Sequence, residues 1–83
     1  MADFIDIKLK RTAVALADSQ DFTSAAVALN TSPAEVKRQI QELEDRLCLN
    51  LFVPATDPPI LTDEGRFLIH AFREAFGREQ PGY

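Results

Sequence analysis

The stretch Ser32-Pro33-Ala34-Glu35, with Val36, Ile40, Leu43 and Leu47 behind it, constrains this chain more than any other. Serine is a strong helix N-cap because its hydroxyl accepts a first-turn backbone N–H that has no intrahelical partner. Proline suits the first helical position, where its missing N–H costs nothing. Glu35 stands three residues after the cap and completes the pattern of a capping box. The apolar residues recur at steps of four, three and four, so they share one side of a helix over residues 33–47. Ala34, Lys37, Arg38, Gln41 and Asp45 fall on the opposite side. A helix this two-faced needs other elements to cover its apolar stripe.

The neighbouring sequence supplies them. Ile5, Leu9, Ala13, Leu16 and Ala17 have helical spacing within residues 4–18, with Lys8, Lys10 and Arg11 on other faces. The stretch DSQDF interrupts that pattern, and Asp21 or Thr23 caps a short second helix through Leu29. Its small residues, SAAVAL, allow another helix to approach closely. After the third helix, LNLFV reads as a strand, PATDPP as a prolyl turn and ILT as a returning strand. Thr62, Asp63 and Glu64 open a last helix, where acidic residues suit the positive end of the dipole. Leu68, Ala71, Phe72, Ala75 and Phe76 form its apolar stripe, and Gly77, Pro81 and Gly82 end it. The expected fold is mainly α: a winged helix-turn-helix with a three-helix core, a two-stranded wing and a long C-terminal helix. Residues 1–83 form one such domain, with 63–80 as the linker or dimerisation helix.

Composition narrows the chemistry. A chain of 83 residues buries only about 60–65% of its unfolded surface, which makes a partner or second copy a natural source of stability. No apolar run reaches the roughly 18 residues of a membrane span, and the N-terminal stretch lacks the pattern of a signal peptide. Cys48 is the single cysteine, which fits a reducing cytoplasm. With His70 the single histidine, there is no zinc-ligand spacing and no nucleophile–base pattern. No glycine-rich phosphate loop is present either. The expectation is a non-enzyme without cofactor or metal. Nine Lys and Arg against thirteen Asp and Glu give a net charge of −4, so any polyanion binding depends on local charge.

The run DFTSAAVALNTSPAEVKRQIQELEDRLCLNLF resembles, without gaps, the N-terminal domain of LysR-type transcriptional regulators. LTDEG follows at that family's expected distance, and the likeness covers about residues 5–76. The resemblance implies homodimers joined through the last helix, a recognition helix in the major groove and a wing near the DNA backbone or minor groove. It also implies that a ligand-sensing domain normally follows.

The departures from the family pattern gather on the contact surface. Pro33-Ala34 replaces Gln-Pro after the cap serine, Glu35 replaces a small residue and Lys37 replaces serine, while Arg38 is kept. In the wing, Pro54 stands where the family has arginine, Asp57 and Pro58 occupy further basic positions, and residues 53–62 hold no cation. Cys48 replaces the glycine that ends the third helix, a position suited to a left-handed backbone.

The candidate DNA-binding residues are Thr23, Thr31, Ser32, Pro33, Lys37, Arg38 and Gln41. Arginine can meet the O6/N7 edge of guanine with two hydrogen bonds, and hydroxyls at helix N-termini suit phosphate. The plain alternatives are an ordinary solvated face in which Lys37 and Arg38 pair with Glu42 and Glu44, and capping duty for Ser32 and Glu35. Lys8, Lys10 and Arg11 either touch phosphate or keep the first helix solvated. Phe67, Leu68, Ala71, Phe72, Ala75 and Phe76 are the candidate dimer interface; packing back onto the first helix is the other option. Two functions follow. One is a sequence-specific, DNA-binding transcription regulator acting as a cytoplasmic homodimer on double-stranded DNA. The other is a winged-helix interaction module that pairs with another transcription regulator and binds DNA weakly or not at all.

Overall fold

The computed structural model describes residues 7–79, with side chains described through Phe76. Four helices appear in order: α1 (Ile7–Ser19), α2 (Phe22–Leu29), α3 (Pro33–Leu47) and α4 (Asp63–Glu79). Ile5, Pro81 and Gly82, used above to place helix ends, lie outside the described residues.

Local chemistry accounts for the boundaries. Asp21, rather than Thr23, caps α2, and its carboxylate accepts from Ser24 N at 2.9 Å. Asn30 closes α2 in the left-handed conformation, φ 58° and ψ 48°, with Thr31 N bonded to Ala26 O at 2.8 Å. Asparagine tolerates that region better than most residues. Ser32 caps α3 by accepting from Glu35 N at 3.2 Å. Cys48 ends α3 at φ 60° and ψ 36°, so the left-handed cap is kept without its glycine. Gly77 does not end α4, which continues to Glu79; one glycine inside a helix costs only about 1 kcal/mol relative to alanine.

α1, α2 and α3 pack around Leu9, Ala13, Leu16, Ala25, Ala26, Val36, Ile40 and Leu43, all buried. Ala25 and Ala26 are the small residues that bring α2 close. Two polar side chains share this interior: the Thr12 hydroxyl donates to Gln39 Oε1 at 2.6 Å, satisfying both in a place where an unpaired group would be costly. Leu47 packs at the edge of the core rather than in it.

The wing is shorter than expected. A single antiparallel bridge joins Phe52 and Leu61, flanked by Val53 N to Ile60 O at 2.7 Å and Thr62 N to Leu51 O at 2.9 Å. Proline explains the truncation, because Pro54, Pro58 and Pro59 have no N–H to extend a ladder. At the tip, Pro54 and positive-φ Ala55 (φ 61°) follow the sequence logic of a type II turn, with alanine where glycine is usual.

α4 is pinned beside the base of this wing. The Thr62 hydroxyl accepts from Gly65 N at 2.9 Å and donates to Asn50 O at 2.6 Å. Ile69 and Phe72 complete the core against α1, with Phe76 packed at its margin. The α4 stripe therefore differs from the expected one. Ile69 is central and Ala71 is exposed.

Candidate nucleic-acid interface

α2, the left-handed turn at Asn30 and the capped start of α3 form a helix-turn-helix. Thr23 on α2 and Thr31, Ser32, Pro33 and Ala34 at the α3 N-terminus are all exposed. The backbone of that terminus offers its partial positive charge on the same surface.

Further along α3, Lys37, Arg38, Gln41 and Asp45 are exposed as the helical spacing predicts, while Val36, Gln39, Ile40 and Leu43 turn inward. Lys37 leans over the Phe22 ring, with Nζ 5.0 Å from its centroid. That contact directs the ammonium toward the wing side of the helix. A cleft of 490 Å³ lies there, lined by Lys37, Gln41, Asn50, Pro54 and Asp57 among others. Glu44, also on that side, accepts from Leu51 N at 2.8 Å and Phe52 N at 3.0 Å. Its carboxylate thereby ties α3 to the first strand segment of the wing.

The opposite edge of α3 is organised around Arg38. Its Nε and Nη2 donate to the two oxygens of Glu35 at 3.0 and 2.8 Å, and Nη1 donates to Glu42 at 3.1 Å. Glu42 also accepts from Arg46 at 2.8 Å. Glu35 further accepts from Gln39 Nε2 at 2.9 Å. Two sequence readings are corrected here. Of the solvated pairing expected for Lys37 and Arg38, the Arg38–Glu42 part is present, but Glu35 is Arg38's second partner, Lys37 lies over Phe22, and Glu44 faces the wing. The capping box is half formed, since the Ser32 hydroxyl does its part while the Glu35 carboxylate turns to Arg38 and Gln39. Those bonds, with Arg38 foremost, hold the Glu35 carboxyl down at about 2, from an ordinary 4.5. The same bond to Glu35 raises Arg38 above its usual value.

The aromatic residues of α4 separate into two groups. Phe72 is buried against α1 beneath Lys10, whose Nζ is 5.7 Å from the ring centroid, and the Arg11 guanidinium stands 5.7 Å from Phe76. These two rings pack back onto the chain's own first helix. Phe67 is 73% exposed and Ala71 is exposed beside it, with Leu68 and Ala75 half-buried. His70 sits at the surface 3.6 Å from Glu74. Among the described residues, no group of three His, Cys, Asp or Glu side chains is placed to hold a metal, and no helix is long and apolar enough to cross a membrane.

Sequence reasoning missed Gln39 and Ile69, and gave Glu44 a solvated pairing instead of its tie to the wing. Gln39 gave a usable signal, since a glutamine between Val36 and Ile40 on the apolar side of α3 needs a buried partner.

These elements define a winged helix-turn-helix with one exposed face on its third helix. The family model for bacterial regulatory helix-turn-helix proteins of the lysR family matches residues 7–66, and the chain belongs to that family. It is 33% identical over 78 residues to the HTH-type transcriptional regulator YxjO of Bacillus subtilis, covering 94% of this chain and 27% of that protein. It is 33% identical over 75 residues to the transcriptional activator AmpR of Yersinia enterocolitica, covering 90% and 26%. The BenM DNA-binding domain, solved in complex with benA site 1 DNA, superposes with a TM-score of 0.83 at 30% identity, covering 88% of this chain and 82% of that one. Full-length BenM gives a TM-score of 0.82 over the same share of this chain but 24% of its own. This chain spans about a quarter of the length of the curated relatives it matches.

Proposed function

We propose that this chain is the DNA-binding part of a sequence-specific transcription regulator that acts in the cytoplasm as a homodimer. The observation that carries the reading is the exposed α3 face, Ala34, Lys37, Arg38 and Gln41, presented by an intact helix-turn-helix. α3 enters the major groove with Gln41 facing base edges, where a glutamine amide pairs with adenine N6 and N7. Thr23, Thr31, Ser32 and Pro33 lie against phosphates at the two helix N-termini. Lys37 supplies charge on the wing side and Arg38 on the other. The outward stripe of α4, Phe67 and Ala71 flanked by Leu68 and Ala75, meets its counterpart in a second copy, with Phe72 and Phe76 backing it from inside. A two-fold dimer then reads two half-sites about one helical turn or more apart.

A second reading is favoured by the charge of the surface. Residues 53–62 contain no cation and Arg38 is held between two carboxylates. On this reading the chain uses α4 to pair with another transcription regulator and antagonises it.

Selection from a random duplex pool at low salt tests both. An enriched two-fold symmetric motif, weakened by Arg38→Ala and altered in base preference by Gln41→Ala, supports the first reading. No enrichment by folded protein overturns it in favour of the second.

A further inference from the structure

We infer that Glu35 and Glu42 set the DNA affinity of this chain by holding Arg38, so that duplex binding requires its guanidinium to exchange carboxylates for nucleic acid. The inference rests on the DNA-binding reading and concerns its α3 surface. Three observations carry it. All three guanidinium nitrogens of Arg38 already donate to carboxylate oxygens, Nε and Nη2 as a fork on Glu35 and Nη1 on Glu42. That fork is the geometry with which arginine grips a phosphate or a guanine edge, so Glu35 stands where a DNA ligand would. The clamp is also anchored, because Glu35 accepts from Gln39 and Gln39 is bonded inside the core to Thr12. Glu35 is therefore positioned before DNA arrives, unlike a pair of free surface side chains that lose entropy when they meet.

Charge points the same way. Glu35, Arg38, Glu42 and Arg46 form one ladder along α3 in which two carboxylates cancel two guanidiniums. A polyanion approaching this edge meets no net attraction until the ladder opens. Arginine bound to phosphate in place of Glu35 leaves two carboxylates near the DNA backbone, and like-charge juxtaposition lowers affinity and on-rate. The result is a regulator with weak non-specific binding, in which only a site offering Arg38 a better fork than Glu35 does is held tightly.

Glu42→Gln leaves the Glu35–Gln39 anchor intact; it also releases Arg46, and the Arg38→Ala background separates that contribution from the one made through Arg38. Affinity for a fluorescein-labelled, mixed-sequence duplex pool at low salt is measured for the wild type, Glu42→Gln, Arg38→Ala and the double variant, each checked for native helicity. Glu35→Gln serves as a second probe. The expected result is a gain of roughly 3- to 10-fold for Glu42→Gln that shrinks to under about twofold in the Arg38→Ala background. An equal gain in both backgrounds would mean that removal of negative charge or release of Arg46, and not Arg38, raises affinity, and overturns the inference, as does no gain at all. Wild-type binding with either of those outcomes leaves the DNA reading standing. Failure of all four folded proteins to bind any duplex sinks that reading and the inference with it.

Discussion

Gly65 lies so close to the wing base that a Cβ on it would collide with the carbonyl oxygen of Leu51. The obstacle is backbone, with Leu51 C and Cα at 2.8 and 2.9 Å, so no side-chain rotation relieves it. This contact sets the start of α4, because Thr62 bonds to the same stretch and caps the helix through Gly65 N. Gly65→Ala is expected to force α4 off the wing and cost about 3 kcal/mol. Thermal unfolding checks it, since each kcal/mol shifts Tm by roughly 4–8 °C in a domain of this size. A shift of only a degree or two would mean that α4 slides without penalty.

Cys48 carries the opposite expectation. At φ 60° it holds a left-handed cap that favours glycine, and its thiol gains only a 3.7 Å contact with Asp45 O. Cys48→Gly should stabilise the fold by about 0.5–1 kcal/mol. Urea unfolding measures this as a higher midpoint with an unchanged slope. An unchanged or lower midpoint would show that the extra freedom of glycine in the unfolded chain outweighs the relief.

Phe67 and Phe72, five residues apart on α4, should answer to different assays. Phe67→Asp changes an exposed ring, so the monomer fold should survive while a dimer held by this stripe dissociates in analytical ultracentrifugation. Phe72→Ala removes a ring that is only 8% exposed and should cost about 3–5 kcal/mol regardless of oligomeric state. A Phe67→Asp protein that sediments like the wild type would remove α4's outer stripe from the proposed interface.

Acid titration addresses the Arg38 clamp without DNA. Glu35 is held at about 2 in the folded chain against 4.5 ordinarily, so the unfolded chain takes up the proton more readily. Its stabilising contribution is therefore complete above pH 4.5, fades as pH falls and is lost near pH 2. Glu35→Gln should flatten the decline of stability between neutral pH and about pH 3, and added salt should reduce the difference because the pair is exposed. Parallel wild-type and Glu35→Gln curves over that range would contradict the pairing.

The elements that were legible in the sequence are those specified within one or two helical turns. Ser32 and Pro33 start α3 wherever the rest of the chain lies, and Val36, Ile40 and Leu43 share a face because a helix repeats every 3.6 residues. The break between α1 and α2, and the capping of α4 near Thr62, are equally local. Tertiary contacts decided the rest. Glu35 had two partners within helical reach, the Ser32 N–H of a capping box and Arg38, and Gln39, held in the core by Thr12, joins Arg38 in directing it. Leu68, Ala71, Phe72, Ala75 and Phe76 read as one stripe, yet the docking of α4 on α1 turned Ile69 and Phe72 inward and left Phe67 and Ala71 outside. Apolarity and spacing state that a face will be buried. Which neighbour buries it depends on where a distant helix is anchored, and here that anchor is the close approach of Gly65 to Leu51.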